Sequence, residues 1–439
     1  MLRKTIYSIF FTIAFAFCLS VDSYSQEAYS GFSPYSIYGL GDIGNGGNAY
    51  SKSMAGVGIA NRNKRFVNIM NPASITERDS LSFMADFSLY GDNKIFSQNN
   101  IKSVNNVFNI GDFVISFPLW KNTAMMLGIT PYSTTGFEYS FNYTDPEVLG
   151  SIGNINYSAN GNGSLYKTFV GGAVTLFDRL SLGAEMDYYF GNLLKSYNTT
   201  IANASYNNIQ NSTSLQARAV GAKFGLQYEQ PVGSKIKIGV GAVYSTGADL
   251  KGFYEDSRFS VGSAVTDTLY HKIDTLGMGS KVRLANEIGV GISFKYDDKF
   301  MVEFDYARSD WTNSGIEKVS GFSTKSSPFA STVSEAYRLG MEYVPNRNDI
   351  RYYFNRVTYR GGMYYKKENF MLNGHNVYSA GLTLGATFPI PSLPSNGLTV
   401  GFEIGQRGSK KNDMIREQYF NFSVGVNLYD IWFRKYQYD

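Results

Sequence analysis

The reactive side chains of this chain are few and far apart. It holds two histidines, His271 and His375, and one cysteine, Cys18, among 439 residues. Serine–histidine hydrolysis needs the imidazole within hydrogen-bond reach of the hydroxyl. His375 and Ser379 meet half of that condition, because an even spacing puts both on one face of a strand. His271 falls in a polar loop. No Cys/His spacing suits a metal, and Gly44-Asn45-Gly46-Gly47 lacks the lysine and the strand–helix setting of a phosphate loop. Asn198-Thr199-Thr200 fits a glycosylation sequon but reads as ordinary polar loop. The expectation is a protein that is not an enzyme and uses no metal or cofactor.

What remains is polar chemistry without a nucleophile: single charges set between apolar residues, and those need a wall to position them. From Asn286 to Tyr306 the wall is legible. Ile288, Val290, Ile292 and Phe294 alternate with Gly289, Gly291, Ser293 and Lys295; then Asp297-Asp298 turns the chain, and Val302, Phe304 and Tyr306 alternate with Glu303 and Asp305. Period-two alternation is a strand with one apolar and one polar face. It recurs over about fourteen segments, from Leu81–Tyr90 to Gln418–Leu428. Short turns such as Lys121-Asn122 and Asp178-Arg179 alternate with long polar stretches such as Asp92–Asn106, Asn142–Gly163 and Asn192–Ser214. That rhythm predicts an all-β, antiparallel transmembrane barrel of about 14 strands over residues 80–439, with lipid outside and short turns in the periplasm. Trp120, Trp311 and Trp432 fall at strand ends, where an interfacial belt would place them.

Composition agrees. The chain has 45 Gly, 34 Tyr and 32 Phe with only 17% charged residues, and its formal net charge is +4. Single soluble cores stop growing near ~250–300 residues, whereas a barrel that faces lipid has no such limit. Without a basic stripe, a nucleic-acid partner is not expected. Residues 1–25 read as a cleaved secretory signal: Arg3 and Lys4, an apolar run from Ile6 to Phe17, then Ser23-Tyr24-Ser25. Cys18 leaves with it, and Phe15 and Phe17 are too bulky for a lipidation site. The expected location is the outer membrane of a Gram-negative cell.

Residues 26–79 do not alternate. Their glycines, asparagines and serines suit a lumenal plug or a loose leader, and the apolar set Met54, Val57, Ile59, Phe66, Val67, Ile69 and Met70 argues for packing. The segment ends in Asn71-Pro72-Ala73, after the small-residue run Ala55–Ala60 and just before the first strand. This arrangement resembles the FadL/TodX family of outer-membrane transporters for hydrophobic compounds. It looks most like a Bacteroidetes-type branch, through Tyr35-Ser36-Ile37-Tyr38-Gly39-Leu40-Gly41-Asp42 and Trp432-Phe433-Arg434-Lys435. The resemblance implies passive passage of a fatty acid-like or aromatic ligand, an N-terminal hatch over residues 26–79, and sideways exit through a kinked third strand. Pro131 lies in the third predicted strand, with Gly136 after it. Proline cannot donate to a ladder, so it marks either a lateral door or a bulge above the membrane.

Assigning the apolar set to lipid turns the charges inward, where most would pair across the lumen. Arg338 and Arg360 are the candidates to receive a ligand carboxylate, since a guanidinium fork binds one bidentately. The expected partners are a hydrophobic small molecule and outer-membrane lipid. A rival reading is a FadL-like barrel that serves type IX secretion as a shuttle or scaffold and binds secretion-system or surface proteins.

Overall fold

The computed structural model describes residues 29–79, 81–262, 265–276, 282–316, 329–390, 393–412 and 414–431. Fourteen antiparallel strands close into one barrel. They are β1 (Ser82–Gln98), β2 (Ile101–Trp120), β3 (Thr123–Asn142), β4 (Ile155–Leu176), β5 (Leu180–Ile201) and β6 (Asn208–Val232). Next come β7 (Ile236–Ser245, then Lys251–Val261), β8 (Thr266–Leu276, then Asn286–Tyr296), β9 (Phe300–Asp310) and β10 (Phe329–Ser331, then Val333–Tyr343). The last four are β11 (Thr358–Leu372), β12 (His375–Ile390), β13 (Leu393–Arg407) and β14 (Arg416–Ile431). β14 returns to β1, from Arg416↔Ser97 to Ile431↔Ser82, which closes the strands into a ring.

Alternation assigns the faces as expected. Ile288, Val290 and Ile292 are 53%, 47% and 52% exposed, whereas Ser293 between them and Phe294 is 2% exposed. The short turns are built from left-handed residues: Asp297 and Asp298 have φ of 52° and 49°. Two positive φ values in succession match the twist of a tight hairpin, and aspartate tolerates them better than a β-branched residue would.

The long polar stretches differ from expectation. Asp92–Asn106 is a hairpin closed at Asn99-Asn100, Asn142–Gly163 holds a short helix (Pro146–Ile152) before β4 begins at Ile155, and most of Asn192–Ser214 prolongs β5 and β6. Strand continues where hydrophobic alternation stops, because above the lipid both faces of a hairpin meet water and only backbone pairing is needed to hold it. The aromatic belt is also corrected in part. Trp120 is 84% exposed at the end of β2, but Trp311 is 4% exposed, packed among Leu250, Leu284 and Ile316. Trp432, Cys18 and residues 1–25 lie outside the described residues.

The segment from Tyr29 to Asp79 runs inside the ring of strands. Gly289 and Gly291, on the inward face of β8, would drive a Cβ into Ile59. Its regular elements are two 3-10 turns (Pro34–Ile37 and Pro72–Thr76), a two-residue strand (Asp42–Ile43) and a short helix (Ala49–Lys52); Asn48 caps the helix and Asn71 the second turn. Its core comprises Tyr50, Met54, Val57 and Phe66.

Candidate functional site

The inner segment is held by polar groups of the wall. Asp305 of β9 accepts the N–H groups of Gly58 at 2.8 Å and Ile59 at 3.0 Å, and Glu303 accepts that of Ala60 at 2.7 Å. The small side chains at Gly58 and Ala60 let the backbone come this close. At the short-turn end, Asn71 is fully buried; its side chain accepts from the Ala73 N–H at 3.0 Å and donates to the Ile59 carbonyl at 2.8 Å. Pro72 opens the 3-10 turn where no amide hydrogen is required. The turn sits against two glycines of the wall: a Cβ on Gly183 would lie 2.5 Å from the Ala73 nitrogen, and one on Gly225 would lie 2.8 Å from Pro72 Cδ. Asn71, Pro72 and Ala73 are thus brought together as a docking turn.

At the opposite end the clasp is Arg407, which sequence reasoning missed. Its guanidinium donates to both Asp42 oxygens at 2.6 and 3.1 Å, to Ser33 Oγ at 2.6 Å and to Glu417 at 2.8 Å. Burial works against the Asp42 charge, but Arg407 and then Lys94 outweigh it and hold this carboxyl well below the usual carboxylate range. Asp42 closes the quoted Gly39-Leu40-Gly41-Asp42 stretch, the only local hint.

The two arginines singled out by sequence part company. Arg360 is closed off: its Nε donates to Glu342 at 3.0 Å, Nη1 donates to Thr387 at 2.6 Å, and the guanidinium lies 4.2 Å from the Tyr50 ring centroid and 4.8 Å from that of Phe66. Its position makes it a fixture of the inner segment. Arg338 lines a lumenal cavity of about 220 Å³ between the inner segment and the wall. Asp305, its cross-strand neighbour, is already engaged by the Gly58 and Ile59 N–H groups. Among the described residues no carboxylate reaches Arg338 at ion-pair distance. The cavity is more polar than a greasy ligand pocket, with Asp92, Lys94, Lys366 and Glu403 in its lining.

The wall parts between β2 and β3. β1 and β2 pair as far as Gln98↔Ile101, and β3 and β4 as far as Asn142↔Asn156. Between β2 and β3, however, pairing runs only from Trp120↔Thr123 to Phe113↔Ile129. Residues 101–112 and 130–142 therefore face each other unpaired, and Pro131 stands at the parting, beside a register shift to Ser133. From the turn at Lys121 this is about 20 Å above the short-turn end, at ~3.3 Å per residue and ~40° tilt, near the top of the apolar band. Phe108 and Ile110 are 59% and 62% exposed beside it.

The inner segment covers the free edge of β3. Asp42 and Ile43 pair with Thr134 and Ser133. The Gly44 N–H donates to the Tyr132 carbonyl at 3.0 Å, and the Ser33 N–H donates to that of Gly136 at 2.7 Å. Gly136 matters through its missing Cβ, which would collide with the Gly31 backbone.

The serine–histidine idea resolves differently for the two histidines. Ser379 donates to Glu368 at 2.8 Å, not to His375. His271 Nδ1 lies 3.0 Å from Ser257 Oγ and 3.6 Å from Glu255. Serine and carboxylate contact the same ring nitrogen, whereas a relay needs one on each.

Comparison with known proteins adds a family and a fold. A family model described as BamG matches residues 1–439. A search of curated proteins by sequence finds no match. Among solved structures, the chain is similar to the toluene transporter TbuX of Ralstonia pickettii, with a TM-score of 0.56, 16% identity, and 87% of this chain and 98% of that one covered. The Pseudomonas putida toluene transporter TodX gives 0.57 at 14% identity, covering 88% and 98%. A Pseudomonas aeruginosa FadL homologue gives 0.53 at 11%, covering 88% and 98%. The fold is that of a FadL-like outer-membrane barrel.

Proposed function

Since the chain belongs to the BamG family and its wall parts between β2 and β3, we propose that it passes hydrophobic small molecules across the outer membrane by passive diffusion. The seam is the observation that carries this reading. A barrel gains by pairing every backbone group in lipid, so an unpaired stretch edged by apolar side chains suits a ligand that leaves sideways. Residues 26–79 act as the hatch, and those from Ser30 to Gly44 as the bolt on the β3 edge. Ligand is a long-chain acid or an aromatic compound; Arg338 orients its polar end. Burial at ~0.8 kcal/mol per CH₂ supplies the affinity. The short turns face the periplasm, and the chain represents a Bacteroidetes-type branch of the FadL-like barrels.

A second reading is favoured by the small, charged cavity and by the Lys251–Leu276 hairpin. Phe253, Leu269 and Ile273 are 52%, 60% and 56% exposed there. In that reading the hatch stays shut and the outer hairpins bind protein partners, as a secretion-associated scaffold would.

Mass spectrometry of organic extracts from protein purified in mild detergent separates the two. Transport predicts co-purifying apolar acids or aromatics, reduced severalfold in Arg338→Ala. An empty lumen, with partner proteins captured instead, would favour the scaffold.

A further inference from the structure

At the short-turn mouth, three arginines face one space with no acid assigned to them. A cavity of about 450 Å³ is lined by Arg65 of the inner segment, by Arg347 and Arg356 from the β10–β11 connection, and by Thr358 and Thr387. Among the described residues none of the three guanidinium groups has a carboxylate within ion-pair distance. Arg356 lies 5.2 Å over the Tyr353 ring, and its Nε is buried with no hydrogen-bond partner. Asp349, the one acid in the lining, is already used: it accepts from Asn355 at 2.6 Å and from the Arg351 and Tyr352 N–H groups at 2.8 and 2.9 Å.

Like charges gathered in a half-buried space repel, and each unmet N–H loses its water. Burial first and the Arg347 charge second weigh against the Arg65 charge; Asp79 and Asp298 offset this only from beyond contact distance. Asp79 itself accepts from the Tyr429 hydroxyl at 2.7 Å. In the adjoining space, by contrast, Lys237 and Lys295 both reach Glu229, at 3.0 and 3.5 Å. Among the described residues, the three arginines share their space without such a partner.

We propose that Arg65, Arg347 and Arg356 form a binding site for an oxyanion, phosphate or carboxylate, at the short-turn mouth of the barrel. Planar guanidinium forks from two segments can grip such a group from different sides, and Thr358 and Thr387 line the same space. Because Arg65 belongs to the inner segment and the other two to the wall, a bound anion ties one to the other. The site does not depend on the transport reading: the anion binds whether or not apolar compounds pass.

The test is isothermal titration calorimetry on the full chain in dodecyl maltoside at low ionic strength, where screening is weak. The probes are inorganic phosphate, decanoate and dihexanoyl-phosphatidylglycerol. Saturable one-site binding is expected for at least one, weakened tenfold or more in Arg65→Gln and Arg347→Gln. Arg351→Gln, which alters an exposed arginine of the same connection, keeps the affinity within twofold. Phosphate binding that the short lipid displaces assigns a lipid headgroup; phosphate binding it does not displace assigns free phosphate. Decanoate alone assigns a carboxylate. Arg347 lies in a turn, and Arg347→Lys, which keeps charge but loses the fork, should give intermediate affinity. No saturable binding of any probe, or affinities unchanged in Arg65→Gln and Arg347→Gln, overturns the proposal.

Discussion

At the scale of single residues, Arg407 ties the inner segment to the wall, making four hydrogen bonds. Its guanidinium spans two segments, with Asp42 and Ser33 on one side and Glu417 on the other. Removing one member of a buried pair leaves the remaining charge uncompensated, at a cost of about 3 kcal/mol. Arg407→Ala is therefore expected to free residues 30–44 to protease while the barrel keeps its heat-modifiable gel shift. Protection equal to the parent would count against the clasp. The same contact sets a pH dependence. A carboxyl whose pKa is lowered by folding stabilises the folded state fully above its unfolded value, ~4, and loses that contribution as pH falls through its folded value. Asp42 is such a group, so hatch protection should persist from pH 7 to pH 5 and fail only well below pH 4. Onset near pH 6 would point to another group. Nothing local in the sequence announced Arg407, since its partner lies 365 residues away. Arg360 stood out by charge and strand position alone, and only packing showed it enclosed by Tyr50, Phe66 and Glu342.

Elements were read better than residues, for a physical reason. Within lipid, the apolar face of every strand is compulsory, so period-two alternation shows through: it marks Ala124–Phe141 and Met301–Trp311, and β3 and β9 match these spans to within a residue. Beyond lipid that constraint lapses. The upper parts of β4, β5 and β6 carry Asn, Ser and Thr on both faces and resemble loops in sequence. Docking of Asn71-Pro72-Ala73 was half legible: the turn chemistry is local, but its glycine seat at Gly183 and Gly225 belongs to distant strands. Filling that seat makes a direct test. Gly225→Val places methyl groups against Pro72, and overpacking of this kind costs ~1–3 kcal/mol. The expected outcome is a hatch cut by protease near residue 71 in an intact barrel, and replacing Asn71-Pro72-Ala73 with three glycines should act alike. Loss of the heat-modifiable band in either variant would show instead that the turn is required to build the barrel.

Over the whole molecule, we read the seam and the inner segment as one device. A closed sheet has no edge to offer, but here β3 has one from residue 130 onward, and the hatch occupies its centre as a two-residue strand. Lateral passage then requires the hatch to leave that edge, which couples the state of the lumen to the state of the wall. Proline at position 131 was a visible sign of a break in the ladder. Which neighbour would be lost, and what would cover the gap, depended on pairing that no single strand encodes.

The most direct measurement uses the pairing of Ile43 with Ser133. Residues directly opposite in an antiparallel pair lie ~4.5–5.5 Å apart at Cα, within reach of a disulfide. Ile43→Cys with Ser133→Cys, combined with Cys18→Ser, would lock the hatch to β3 when oxidised. Uptake of labelled oleate or toluene into proteoliposomes should be lost in the oxidised protein and return on reduction. Equal uptake in both states would contradict lateral passage gated by the hatch.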